Sequence, residues 1–256
     1  MERSATKQLI TDAVILMAGS GSRLRASGNP LPKPLIEIAG RPVFSYAIES
    51  LKKAGIETVH VVSGCNSDAL LEGLSPLIPA EMKLHAIHNP DWRKQNGISV
   101  LAVAEYLRSP FLLTMGDHLF DPSTVDLVIQ KADPNALNVA VDRKLNAIFD
   151  LADAMKVKTN GDRVVAIGKD LTDYDAIDTG LFVCPTEIFV YLERAKRDED
   201  CSLADGVRAM TADGKVRAID IGDAWWQDID TPEMLAAAEK VLGGSGRRFT
   251  PGPPVP

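Results

Sequence analysis

Short apolar runs recur along this chain at wide intervals: AVILMA at 13–18, TVHVVS at 58–63, LHAIH at 84–88, FLLTM at 111–115 and LNVAV at 137–141. Each is too short for a helix of ordinary length and too evenly apolar for a strand with one wet face. Each therefore reads as a strand covered on both sides. Polar loops and helix-period segments separate the runs, which predicts an α/β fold with a mostly parallel sheet and helices on both faces. Between the first two runs, RPVFSYAIESLKKAG puts Val43, Tyr46, Ala47, Ser50 and Leu51 on one stripe, and Gly55 supplies the cap that ends the helix.

After about residue 145 the runs shorten to MKVKT, RVVAIG and DTGLFVC, separated by Asn-Gly and Asp-rich turns. This predicts β-structure added to the sheet, as a lid over its edge. Two helices, around 185–195 and 202–211, the strand VRAIDI and a closing helix from about 231 complete one domain over 1–242. The Gly- and Pro-rich tail 243–256 has too few large apolar groups to pack and is expected to be disordered.

With a formal charge of −7, the chain is no nucleic-acid scaffold, although small anionic substrates fit if basic groups gather locally. Cys65, Cys184 and Cys201 are scattered without a CxxC, which predicts a reducing compartment and no structural metal. No apolar stretch approaches the length of a membrane span, and MERSATKQLITD lacks the core of a signal peptide. A cytoplasmic protein is expected.

The loop after the first run reads GSGSRLRASGNPLPKP. A dinucleotide fold would need a third glycine where Leu24 stands, and no helix can run on through Gly28, Pro30, Pro32 and Pro34. The P-loop pattern is absent. What remains is a plain glycine-rich connection with solvent-facing charges, or an extended loop whose backbone N–H groups, from Ala18, Gly19, Ser20, Gly21 and Ser22, wrap a nucleotide triphosphate with Arg23 and Lys33 as cations.

Phosphoryl transfer asks for carboxylates to hold Mg²⁺. Asp117 follows the run FLLTM, beyond the carboxyl end of its strand, where ligands of open parallel sheets bind. In DAWWQDIDTPEML, Asp228 and Asp230 share one face of an extended segment. Asp230 also opens DTPE, a good helix start, which favours Asp228 as the second ligand and keeps Asp230 as a possible one. Trp225 and Trp226 read as packing residues, and His60, His85 and His88 as satisfied strand or loop positions. His118, beside Asp117, is a candidate substrate contact. Asn96, Gly97 and Ser99 begin a helix whose exposed N–H groups can approach a base or ribose, unless Ser99 is simply a helix-start residue.

LMAGSGSRLRASGNPLPKPLIEIAGRPV resembles the opening of the nucleotidyltransferases that make NDP-sugars and CDP-alcohols, at Ala18, Gly19, Gly21, Arg23, Leu24, Pro32, Lys33, Pro34 and Leu35. With MGDH, ADAMKV, IGKDL, IDTGLF and WWQDIDT, the resemblance runs from about 13 to 242 and is strongest to the inositol-1-phosphate cytidylyltransferase branch. It implies a single Rossmann-like domain. The N-terminal half would bind CTP, and residues from about 145 to 242 the acceptor and the second metal ligand. Arg23 and Lys33 would neutralise the departing pyrophosphate, and the Asp228 position would bind metal. Lys169 would meet the acceptor phosphate, with Asp178, Thr179 and Gly180 lining its pocket. The implied product is CDP-inositol; a sugar 1-phosphate, choline phosphate or aminoethylphosphonate would serve the same machinery. Members are often fused to a membrane CDP-alcohol phosphotransferase, which is expected here as a separate partner of a monomeric or homodimeric enzyme. A silent nucleotide-binding module would keep the loop without the carboxylates, and a nicotinamide oxidoreductase would need the missing glycine.

Overall fold

The computed structural model describes residues 10–19, 24, 31–65 and 67–244. Asp12–Leu16 (β1), Thr58–Ser63 (β4), Lys83–His88 (β5) and Phe111–Met115 (β6) are the first four expected runs, and they lie parallel in the order β5-β4-β1-β6, while Glu37–Ile38 (β2) and Arg41–Pro42 (β3) pair antiparallel as a separate ribbon. The chain thus builds outward from β1 on one side and returns to its other side with β6. That reversal leaves a crevice beyond the carboxyl ends of β1 and β6. Residues 17–19 follow β1 there, and Asp117 follows β6 there.

The sheet continues through Ala176–Cys184 (β11), Leu137–Asp142 (β8), Val216–Asp220 (β12), Arg163–Gly168 (β10) and Lys156–Asn160 (β9), giving nine strands among the described residues. β11 runs antiparallel to β6, β8 and β9, whereas β12 is parallel to β8. The second half is therefore fused into the main sheet, with the β9–β10 hairpin at its edge.

The reason for the continuous apolar runs is visible in β1. Val14 and Leu16 pack with Val100 of Asn96–Leu101 (α3), Leu192 of Ile188–Ala195 (α5) and Val207 of Leu203–Ala212 (α6). Ala13 and Ile15 face the other way, against Phe44 of Val43–Lys53 (α1), Leu70 of Ser67–Leu74 (α2) and Val128 of Thr124–Lys131 (α4). Phe182 and Val183 of β11 divide between the same two layers. Each of these Val, Leu, Ile and Phe side chains contributes about 1.5–3 kcal/mol by leaving water.

Three expectations need correction. LHAIH is an edge strand with several exposed positions, because β5 has one neighbour. The stripe of α1 is wider than expected and includes Phe44 and Ile48, since the helix is wedged between the sheet and a smaller cluster of Ile36, Ile38, Val43, Tyr46, Leu119 and Ile229. Its end is as expected, with Gly55 at φ +84°. The closing helix, Pro232–Gly244 (α7), takes in the first residues of the supposed tail, and 245–256 lie outside the described residues. No helix among the described residues is long and apolar enough to cross a membrane.

Candidate active site

Two three-residue strands assemble the carboxylates. His118–Phe120 (β7) pairs antiparallel with Trp226–Asp228 (β13), which sets Asp228 opposite His118. The backbone bonds Ile229 N–H to Asp117 O (2.9 Å) and Asp121 N–H to Trp225 O (2.8 Å) extend the ribbon at both ends. Asp117 and Asp228, remote in sequence, are neighbours for this reason.

Lys33 stands in a 3₁₀ turn, Lys33–Leu35, that the flanking prolines favour. Its ammonium donates to Asp117 Oδ2 at 3.0 Å and to Asp230 Oδ1. On its other side, Asp117 Oδ1 meets His118 Nδ1 at 2.8 Å. Burial alone would raise the Asp117 pKa, but the His118 and Lys33 charges hold it well below the usual carboxylate range. The same partners act in reverse on the bases: although burial opposes it, Asp117 raises His118, and Asp117 with Asp230 raises Lys33. Asp228 is pushed up, first by burial and then by the charges of Asp230 and Asp117.

The sequence argument favoured Asp228 over Asp230 because Asp230 was to cap α7. In the structure Thr231 Oγ1 accepts from Met234 N–H at 3.3 Å, while Asp230 turns an oxygen to Lys33. Both carboxylates therefore face the crevice with Asp117. No group of three His, Cys, Asp or Glu among the described residues is arranged as a metal site. Mg²⁺, however, takes oxygen donors and needs only one or two carboxylates beside phosphate oxygens. The donor set fits: Asp117 and Asp230 share one ammonium, and Asp228 is pushed up by burial and by the charges of those two carboxylates.

A cleft of about 660 Å³ opens from this point toward the β9–β10 edge. His118, Asp178, Gly180, Asp228 and Asp230 line its inner end, and Lys169 and Asp153 its outer end. Gly180 sits at φ +75° in an irregularity of the β11–β8 ladder, and a Cβ there would lie 2.6 Å from the His118 ring. A bulge with glycine lets the imidazole rest on β11. Lys169 Nζ is half-exposed and bonds Asp153 Oδ1 at 2.5 Å. A smaller cavity of about 100 Å³ joins Gly19, Lys33, Cys65 and Asp117. Ala18 is buried, with its carbonyl accepting from Cys65 N–H. Ser20, Gly21, Ser22 and Arg23 lie outside the described residues.

Four of the expected contacts have other duties. Thr179 is fully buried and its hydroxyl donates to Ala140 O at 3.0 Å, so its side chain faces the sheet interior, away from the cleft. Ser99 is buried and accepts from Asn89 Nδ2. Gly97 is small because the chain at Cys201–Ser202 passes over it; an added Cβ would lie 2.6 Å from the Cys201 carbonyl oxygen. Asn96 Oδ1 accepts from Leu203 N–H at the start of α6, although the residue still lines the cleft. The outlying histidines are satisfied as expected: His60 by Asp12 and His85, and His88 by Ser67. Trp226 does more than pack, since it stacks on His118 and donates Nε1–H to Asp142 Oδ2. Asp142 and Lys144 also line the cleft and were missed. Asp142 ends β8, so the strand-end argument that found Asp117 would have found it too.

Asp178 offers a pH test. Burial lifts its pKa to about 7 against the opposing Gly180 N–H and His118 charge. Between about pH 4 and 7 the folded protein keeps a proton that the unfolded chain has lost, so this group's contribution to stability falls across that window. Asp178→Asn keeps the Oδ1 acceptor and cannot ionise. Its stability is expected to exceed the parent's by a margin that widens from pH 4 to pH 7 and is flat above, on the order of 4 kcal/mol, read as a growing difference in melting temperature. A margin independent of pH would refute burial as the cause.

Comparison with known proteins follows the same lines. Residues 13–200 match the family model described as the MobA-like NTP transferase domain. A "Bifunctional IPC transferase and DIPP synthase" of Rubrobacter xylanophilus is 33% identical over 243 residues, covering 94% of this chain and 54% of that protein. A "CMP-5'-(3-aminopropyl)phosphonate synthase" of Streptomyces rubellomurinus is 30% identical, over 86% of this chain and 37% of that one. The chain spans about half the length of the first curated relatives it matches. Among solved structures, the inositol-1-phosphate CTP transferase from T. maritima superposes with a TM-score of 0.79 at 27% identity, covering 91% of this chain and 98% of that one.

Proposed function

Since the chain belongs to the MobA-like NTP transferase family, we propose that it transfers a cytidylyl group from CTP to a phosphorylated alcohol, inositol 1-phosphate first among the candidates, releasing pyrophosphate. The observation that carries this reading is the pairing of Lys33 with Asp117 and Asp230 at the sheet's reversal point, next to a cleft that ends in Lys169. The T. maritima neighbour and the relatives named IPC transferase support the choice of CTP and inositol phosphate.

In this reading an acceptor phosphate oxygen attacks the α-phosphorus in line, and the bond to the β-phosphate oxygen breaks as the new one forms. The attacking oxygen is already ionised, so no general base is needed. Positioning and charge stabilisation do the rest. Lys33, with Arg23 of the glycine loop, neutralises the leaving pyrophosphate. Lys169 orients the acceptor phosphate, and His118, Asp178 and Gly180 bound the acceptor. Asp117 with Asp228 or Asp230 would hold Mg²⁺, which supplies Lewis-acid charge at the phosphate oxygens when bound.

The test is pyrophosphate release with Mg²⁺ and each of the four NTPs against inositol 1-phosphate, choline phosphate, 2-aminoethylphosphonate and hexose 1-phosphates. Release with CTP and inositol 1-phosphate is the expected outcome. Another productive pair would keep the mechanism and replace the substrate, whereas silence with all of them would refute the reading.

A further inference from the structure

Lys156 opens β9, and only 9% of the residue is exposed. Its ammonium donates to three backbone carbonyls, Lys169 O at 2.7 Å, Ala152 O at 3.2 Å and Ala154 O at 3.3 Å, and the Tyr174 ring centre lies 5.9 Å away. Among the described residues it forms no ion pair. An ammonium withdrawn from water without a counter-charge is costly unless its donors are matched. Methionine would fill similar space without that cost. The charge must be explained by what its three bonds hold.

They hold two loops. Ala152 and Ala154 belong to the segment before β9, which gives Asp150, Asp153 and Ala154 to the cleft. Lys169 belongs to the turn after β10, which gives Lys169 and Asp170. Lys156 stands opposite Gly168 in the hairpin, so one ammonium reaches both segments. On the outer side the same loops are joined by Lys169 and Asp153, a half-exposed pair of the kind worth little in water. An acceptor phosphate that takes Lys169 opens this outer tie and leaves the inner one.

We propose that Lys156 is a positioning residue for the acceptor. It fixes the backbone of Lys169 against the 150–155 loop, so that Lys169 meets the acceptor phosphate without a loop having to be ordered at each turnover. The proposal rests on the reading of this cleft as the acceptor site.

Its test pairs kinetics with hydrogen exchange, which needs no substrate. In Lys156→Met the KM for the acceptor is expected to rise about tenfold or more while that for CTP stays within about twofold, a split that general destabilisation would not produce. Lys156→Arg, which keeps donors and charge, is expected to recover part of the loss. In the free protein, backbone amides of 150–155 and 168–171 should lose protection together while β1 and β6 keep theirs. Unchanged exchange in both loops would overturn the clamp. Loosened loops with an unaltered acceptor KM would overturn the positioning role. If the parent protein turns over no acceptor but the loops loosen, the acceptor reading fails and the clamp stands. Should Lys156→Met not fold, the Arg variant carries both readouts through its altered donor geometry.

Discussion

Asp117→Ala is expected to lower kcat by about a thousandfold or more, a loss of about 4 kcal/mol in transition-state stabilisation, with the fold retained. Asp117 is the meeting point of the site: one oxygen takes the Lys33 ammonium, the other the His118 imidazole, and its backbone carbonyl fixes Ile229 beside Asp228. The backbone bond survives the substitution, as does the contact of Lys33 with Asp230. The protein therefore loses one buried charge and keeps the ribbon that the charge sits on. The His118 pKa, now raised by Asp117, should fall, and NMR titration of the histidines can follow this independently of turnover. Asp117→Asn preserves the shape and should be nearly as inactive, because an amide is a poor substitute for a carboxylate toward Mg²⁺. Near-normal pyrophosphate release by either variant would remove Asp117 from the mechanism.

Lys33→Met should cost about 100- to 1000-fold in kcat/KM for CTP, since a cation aimed at the leaving pyrophosphate acts where water is partly excluded. Like Asp117→Ala, which removes a carboxylate that the same partners hold ionised, it is also expected to lower the melting temperature. Burial opposes the Lys33 charge, yet Asp117 and Asp230 raise its pKa above the ordinary lysine value, so the folded protein holds that proton more tightly than the unfolded chain does. The contribution is fully present below about pH 10.5 and is lost only as pH passes the raised value, so it operates throughout the neutral range. Without the ammonium, Asp117 and Asp230 lose the cation they share. Lys33→Arg should not restore activity, because a planar fork replaces a compact charge held between two carboxylates. A Lys33→Met protein with unchanged CTP kinetics would place the leaving group elsewhere.

The central strands were legible because burial on both faces leaves an unbroken apolar run, and Gly55 because its backbone conformation excludes most side chains. β7 and β13 were not legible: three residues show no period, and their pairing depends on partners far along the chain. Asp117 was found by its strand-end position, but choosing between Asp228 and Asp230 required knowing which residue caps the last helix. Gly97 and Ser99 show a different limit. Small residues at a helix start suit a ligand or a crossing segment equally, and here Cys201–Ser202 is the segment. Lys156 stood inside the quoted segment ADAMKV but showed no role there, because its partners are carbonyls that any sequence would supply.

The bond between Lys33 and Asp230 spans 197 positions, whereas that between Lys33 and Asp117 spans 84. Contacts of such separation form late, since the entropy of closing so large a loop must be met before they contribute. During synthesis, β1 through β6 and the first partner of Lys33 emerge well before Asp228 and Asp230. A chain synthesised only to that point contains Lys33 and Asp117 but not Asp228, Asp230 or β13. Catalytic competence is therefore a late property of this fold, gained when β13 docks on β7 rather than when the sheet first forms.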